Sequence, residues 1–199
     1  MTEFRKMRRA AQELDHEACL DMIRRATSGV LSVVGDEGYP YGVPMSFVYV
    51  ESDQNLYVNV TGSESSRSDE ATGTKNDEGS FDGRFYFHCA KTGHKIDAIR
   101  ACDKACFTII DRDDVVADEF TTYFKSVVAF GRVRILETPE EIMPAIQLLA
   151  GRYSPDESEE KKAREIEKEM PALAMLEFTV EHMTGKEAIE LVRKRRRYE

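Results

Sequence analysis

Gly29-Val30-Leu31-Ser32-Val33-Val34, Gly35-Asp36-Glu37-Gly38, and then Tyr41-Gly42-Val43-Pro44-Met45-Ser46-Phe47-Val48-Tyr49-Val50 form the stretch that decides the fold. The first run is short and β-branched. The second has the glycines that a tight hairpin turn needs. The third alternates, with Tyr41, Val43, Met45, Phe47 and Tyr49 on one face, which is the period of a strand with one face buried. Two strands and a turn within about twenty residues predict an antiparallel meander.

Working outward, the pattern continues on both sides. Asp15 to Ala26 reads as a helix, with Asp15 as its cap and Cys19, Met22, Ile23 and Ala26 on one face. Glu51-Ser52-Asp53-Gln54 predicts a turn and Leu56 to Val60 a further strand. Thr61 to Gly83 is almost all Ser, Gly, Asp, Glu and Thr; it has no apolar period and reads as an inserted mobile loop. Strand-like sequence returns at Arg84 to His88, and a helical pattern runs from Gly93-His94-Lys95 to about Cys102. Ala105 to Ile110 predicts a strand ended by the charged turn Asp111-Arg112-Asp113-Asp114, and Tyr123 to Leu136 the longest strand. Thr138-Pro139-Glu140-Glu141 is a capping box with proline in the first turn, and Pro144 is expected to shift or kink the helix that follows. Ser158 to Met170 predicts a charged helix and Ala172 to Val180 a last strand. Residues 186–199 predict a helical tail with the basic run Arg193 to Arg197. Six or seven antiparallel strands with no βαβ alternation point to one mainly β (α+β) domain spanning residues 1–199, closed or partly open as a barrel.

Composition narrows the function classes. Of 199 residues 41% are hydrophobic, enough for a sizeable core, and the net charge of −9 argues against a protein that tracks nucleic-acid phosphates. The Arg193 to Arg197 run therefore reads as a solvated tail. No apolar run follows the basic start at Arg5 to Arg9, so neither a signal peptide nor a membrane span is expected, and a cytoplasmic location is. Cys19, Cys89, Cys102 and Cys106 are then expected as reduced thiols. No metal is expected. His88 and Cys89 are adjacent on a strand and face opposite ways, and the spacing to His94, Cys102 and Cys106 fits no zinc pattern.

Three segments can carry chemistry. In His88-Cys89-Ala90-Lys91-Thr92-Gly93-His94-Lys95 a strand gives way to a helix start. Its unpaired amides, the helix dipole and Lys95 together make an anion seat; the alternative is an ordinary helix start with a solvated lysine. In Tyr39-Pro40-Tyr41-Gly42-Val43-Pro44-Met45-Ser46-Phe47, Pro44 implies an edge or a bulge, where freed backbone groups can read a flat heterocycle; the alternative is an irregular core strand. Thr121-Thr122-Tyr123-Phe124-Lys125-Ser126-Val127 brings hydroxyls to the start of a long strand, or is simply a surface-to-core transition.

Taken together, these segments resemble the pyridoxamine 5'-phosphate oxidase-related FMN-binding split-barrel family, and within it the branch of the 5-nitroimidazole-resistance proteins. The stretches that carry the resemblance are Gly29-Val30-Leu31-Ser32, Tyr39 to Phe47, Phe87-His88-Cys89-Ala90 with Gly93-His94-Lys95-Ile96-Asp97, and Ser126-Val127-Val128 with Gly131. It implies an antiparallel six-stranded split β-barrel of Greek-key type with flanking helices. It also implies FMN as the cofactor and a homodimer with the cofactor site at the interface. Lys95, with the amides around Gly93 and His94, would hold the FMN phosphate. Val43, Pro44, Met45 and Ser46 would lie along the ring edge, Phe87, His88 and Cys89 would run past it, and Ser126 would help to close the site. His88 matches a histidine near the reactive part of the flavin, a candidate for proton transfer or substrate contact. The 61–83 loop departs from the family's tight hairpin; it is a lid if it folds over the pocket and a neutral insertion if it points away, and the low entropy cost of loop length favours the second.

Two function classes follow. The first is a flavin-dependent oxidoreductase acting on a small molecule, in the manner of a nitroreductase or a relative of pyridoxamine phosphate oxidase. The basic cluster that holds the substrate phosphate in pyridoxamine phosphate oxidase itself has no clear counterpart. The second is a protein that binds FMN, haem or another planar ligand without turnover.

Overall fold

The computed structural model describes residues 4–51 and 83–197. The expected strand Leu56 to Val60 and residues 61–82 of the expected loop lie outside the described residues; Gly83 already begins a strand.

Eight strands form one antiparallel sheet: β1 (Glu13–Leu14), β2 (Ser28–Val34), β3 (Pro40–Ser46), β4 (Val48–Glu51), β5 (Gly83–Ala90), β6 (Lys104–Val116), β7 (Thr121–Ile135) and β8 (Leu173–Glu187). Their order is β3-β2-β6-β7-β8-β5-β4, with β1 pairing separately on β8. The two edges, β3 and β4, are consecutive in the chain and meet at Phe47. The sheet thus curls until its ends are one bent strand, and it is not closed by hydrogen bonds. A curled, unclosed antiparallel sheet of this kind is consistent with the expected split barrel; the described residues hold eight strands where six were expected.

Phe47 explains the bend. Its ring packs edge-on against Phe85 at 5.4 Å and Phe107 at 5.2 Å, in the middle of the barrel core. The expected alternation of Tyr41, Val43, Met45, Phe47 and Tyr49 holds, all five belonging to this core or packing against it. From Val48 on, the opposite face is buried as well, Val48 and Val50 belonging to a second core. One chain segment therefore serves two apolar compartments, and the sheet turns where it passes from one to the other.

Helices fill the ends and one side. α1 (His16–Arg25) starts at Asp15, whose carboxylate accepts from the Ala18 amide at 2.8 Å, and buries Cys19, Leu20, Met22 and Ile23 against the barrel. α2 (His94–Ala101) buries Ile96, Ala98 and Ile99 in the same core. α3 (Pro139–Tyr153) covers the outside of β4, β5 and β8 with Ala145, Ile146 and Leu149. The Glu141 carboxylate caps its start, accepting from the amides of Glu137 and Thr138. The helix runs on through Pro144, which sits buried in its first turns. α4 (Glu159–Glu169) buries no residue, and α5 (Ile189–Arg195) ends the described chain.

Three expectations need correction. Asp111 to Asp114 is not a turn: β6 bulges at Asp111, which takes Arg25 in a bidentate pair at 3.1 Å, and then continues to Val116. With β7 it forms an arm, sustained by ladder hydrogen bonds rather than by a core, so no apolar period marks it. The last strand does not stop at Val180 but runs to Glu187. Its inward positions there are Met183, Gly185 and Glu187. Gly185 is demanded by packing, since a Cβ would lie 2.3 Å from Cys19 Sγ. Glu187 is buried between Lys125 at 3.6 Å and Arg195 at 3.0 Å. In consequence the helical tail begins at Ile189, not at residue 186.

Candidate functional site

The gap where the curled sheet fails to close lies between β3 and the end of β5. Beyond β5 the chain turns at Gly93, whose φ of 116° is a left-handed conformation open to glycine. Gly93 caps α2 without a side-chain hydrogen bond, and its carbonyl accepts from Ile96 and Asp97. The amides of His94 and Lys95 are then first-turn donors with no acceptor inside the helix.

Lys95 leans back across the gap. Its ammonium is half-buried and 3.1 Å from Met45 Sδ, a weak acceptor. It has no carboxylate partner among the described residues, although the chain is acidic overall. Cys89 lies close enough to feel this charge. Burial pushes its thiol up and the ammonium offsets only part of that, so Cys89 is a protonated thiol at neutral pH and a poor nucleophile. Phe87 is fully buried in the barrel core.

The His94 imidazole is occupied elsewhere. It stacks on Tyr41 at 4.1 Å, and its Nε2 accepts from the Asp36 amide at 3.2 Å. Gly35 makes room, because a Cβ there would come 2.9 Å from Nε2. His94 therefore fastens the β2–β3 turn to the start of α2, and only its backbone amide faces the expected seat.

The remaining expected residues divide between two faces. Met45, Val43, Phe87 and Cys89 belong to the barrel core or pack against it. Pro44, Ser46 and His88 are exposed and point outward, and Ser46 and His88 share a cavity beneath α3 and α4. Ser126 stands apart. It pairs with Ile110 and Lys186 on the outer wall, and β2 and β6 separate its strand from β3.

Two residues not singled out in the sequence hold this site together. The Tyr153 hydroxyl accepts from the Phe47 amide at 2.9 Å and lies 2.8 Å from the Phe47 carbonyl and 2.6 Å from that of Thr27. Arg152 donates to the carbonyls of Ala26 at 2.6 Å and Arg24 at 3.0 Å, and its guanidinium lies over the Phe47 ring at 5.4 Å. The end of α3 thus pins both the end of α1 and the bend between β3 and β4. All of these contacts cross more than a hundred residues, so no local pattern announces them.

A family model described as pyridoxamine 5'-phosphate oxidase matches residues 15–187. No curated protein matches the sequence. Among solved structures, the chain is similar to a protein of Bacteroides thetaiotaomicron assigned to 5-nitroimidazole antibiotic resistance. The TM-score is 0.58 at 21% identity, over 87% of this chain and 85% of that one. It is also similar to a conserved protein of Mycobacterium tuberculosis, with a TM-score of 0.63 at 14% identity over 92% and 90% of the two chains. A flavocytochrome of Azotobacter vinelandii gives 0.60 at 16% identity, over 92% of this chain and 72% of its own. At these identities the likeness is one of fold. Among the described residues no helix is long and apolar enough to cross a membrane.

Proposed function

The chain belongs to the pyridoxamine 5'-phosphate oxidase family, and on that premise we propose that it is a flavin-dependent oxidoreductase that binds FMN and acts on a small molecule. One observation carries this reading: the Lys95 ammonium is half-buried at the split of the barrel, beside first-turn amides of α2, with a thioether as its nearest polar neighbour. A cation held there without a carboxylate suits a dianionic phosphate. Lys95 and the amides of His94 and Lys95 would bind the phosphate, and Gly93 lets it approach. Met45 and Val43 would offer apolar surface and Pro44 and Ser46 the outward edge of β3 to the ring, with Phe87 and Cys89 behind. FMN, when bound, supplies the capacity to accept and release a hydride. His88, exposed and facing outward, would contact substrate or move a proton at its imidazole. Names carried by solved relatives support this, among them the nitroimidazole-resistance protein and the flavocytochrome.

The same reading includes a homodimer. Among the described residues no helix covers the outer wall of β3, β2, β6 and β7; Val30 and Ile110 are exposed on it, and Phe130 is partly exposed beside Phe4. The β6–β7 arm carries Phe120 at 96% exposure. Isolated apolar side chains on a surface are ordinary; three of them on one face, beside an arm that exposes Phe120, suit a partner's surface. A second copy on this wall would bring Ser126 to the site that its own chain keeps it from.

The experiment is FMN binding by wild type and Lys95→Ala, followed by NADH or NADPH reduction and reoxidation with a nitroaromatic. Lys95→Ala is expected to weaken FMN binding by roughly tenfold to a hundredfold, the effect of removing one charge-assisted hydrogen bond. Unchanged affinity would discard the phosphate seat. Flavin bound but not reduced by any donor would favour the second reading, a binding protein without turnover.

A further inference from the structure

α4 rests on α3 without entering it. Ala163, Ile166 and Met170 recur at helical spacing on one side of the helix, yet none is fully buried. Cavities of about 600 Å³ and about 590 Å³ flank the helix instead. The first is bounded by Ile146, Leu149, Ile166 and Leu173, and it opens at one end on Ser46 and His88. Its size falls in the range of small-molecule sites.

The charges around this cavity are already matched. Lys161 pairs with Glu157 at 2.7 Å, Lys162 with Glu159 at 2.8 Å, and Lys168 with Glu165 at 3.0 Å and Glu169 at 3.7 Å. Its unmet polar groups include the His88 imidazole and the Ser46 and Ser154 hydroxyls, none of which has a side-chain hydrogen bond among the described residues. A charged ligand would have to displace one of these ion pairs. An uncharged one needs only apolar bulk along the aliphatic walls and one or two hydrogen-bonding atoms at the His88 end.

We propose that the cavity between α3, α4 and the end of β5 binds an uncharged, largely apolar molecule, with its polar end at His88 and Ser46. That this molecule is the substrate rests on the flavin reading above; that it binds here does not.

The test is a fluorescence titration of the full chain with N-phenylnaphthylamine, an uncharged aromatic probe, competed by naphthol and by naphthoate. Saturable binding is expected, weakened roughly tenfold or more by Ile166→Glu and by Ala150→Trp, which places bulk where the two cavities meet. Naphthol should compete better than naphthoate. Because α4 buries no residue, Ile166→Glu is expected to keep the fold, and a thermal melt checks this. Probe binding within about twofold of wild type in both folded variants, or a preference for naphthoate, overturns the proposal. The visible flavin band of the same samples separates the two ideas. Wild type that binds the probe but no flavin sinks the flavin reading alone, and variants that keep flavin but lose the probe support the cavity.

Discussion

The outer wall of the barrel has two halves that the same strands treat differently. On the first, Val48, Val50, Tyr86 and Met175 point outward and are nonetheless buried, because α3 lies over them. Arg134 ties the two layers, reaching Glu177 of β8 at 2.8 Å and Glu141 of α3 at 2.7 Å. On the second half, Ser32, Thr108, Ser126 and Thr184 share the outer face with Val30, Ile110 and Phe130; among the described residues no helix lies over them, and the N-terminal Phe4 reaches the wall at Phe130 (5.8 Å) and His182 (4.7 Å). On the covered half the outward apolar side chains are buried by α3, and the charges among them are paired. A mixture of hydroxyls and isolated apolar side chains tolerates both water and a partner. The candidate site sits where the halves meet, since Ser46 and His88 lie at the margin of the covered half.

The largest expected effect that could break this comparison is on the covered half. Met175→Ala removes a side chain that is 0% exposed and should cost about 2–5 kcal/mol in urea denaturation. A cost under about 0.5 kcal/mol would mean that α3 does not form a second core. The second half should respond in the opposite way. Ile110→Glu, at a side chain 64% exposed, should leave chain stability within about 0.5 kcal/mol and shift light scattering from dimer to monomer. A variant that stays dimeric would move the interface elsewhere. The smallest effect sharpens the contrast with the barrel interior. Burial, with Asp15 and Glu13 adding to it, pushes the Cys19 thiol from 9.0 up to about 12. The folded state then keeps a proton that the unfolded chain releases, so stability falls as pH rises from 9.0 towards about 12. A denaturant midpoint flat over that window in wild type, or falling equally in Cys19→Ala, would refute the assignment.

Much of the site was legible locally. The Gly93-His94-Lys95 turn, its left-handed glycine and the lysine in the first helical turn follow from residue chemistry that acts over a few positions. The opposite facing of His88 and Cys89 follows from strand alternation alone. The His94 imidazole was not legible, because its partners Tyr41 and Asp36 come from another hairpin. Nor was the path of β8 past Val180: Gly185 and Glu187 are buried for reasons of fit and ion pairing, which no hydrophobic period records. The arm beyond Ile110 escaped for the related reason that a hairpin in solvent needs no apolar face.

The sequence by itself determined the strands with one apolar face, the capped helices and the glycine turn that sets Lys95 in the first turn of α2, because each depends on contacts within a few residues. Only the tertiary structure decided that Phe47 joins two cores and that Arg152 and Tyr153 fasten the bend. It alone also decided that Ser46 and His88, from different strands, share one cavity while Ser126 lies on another wall. These depend on which distant surfaces the curled sheet brings together, and that is a property of packing across the whole chain.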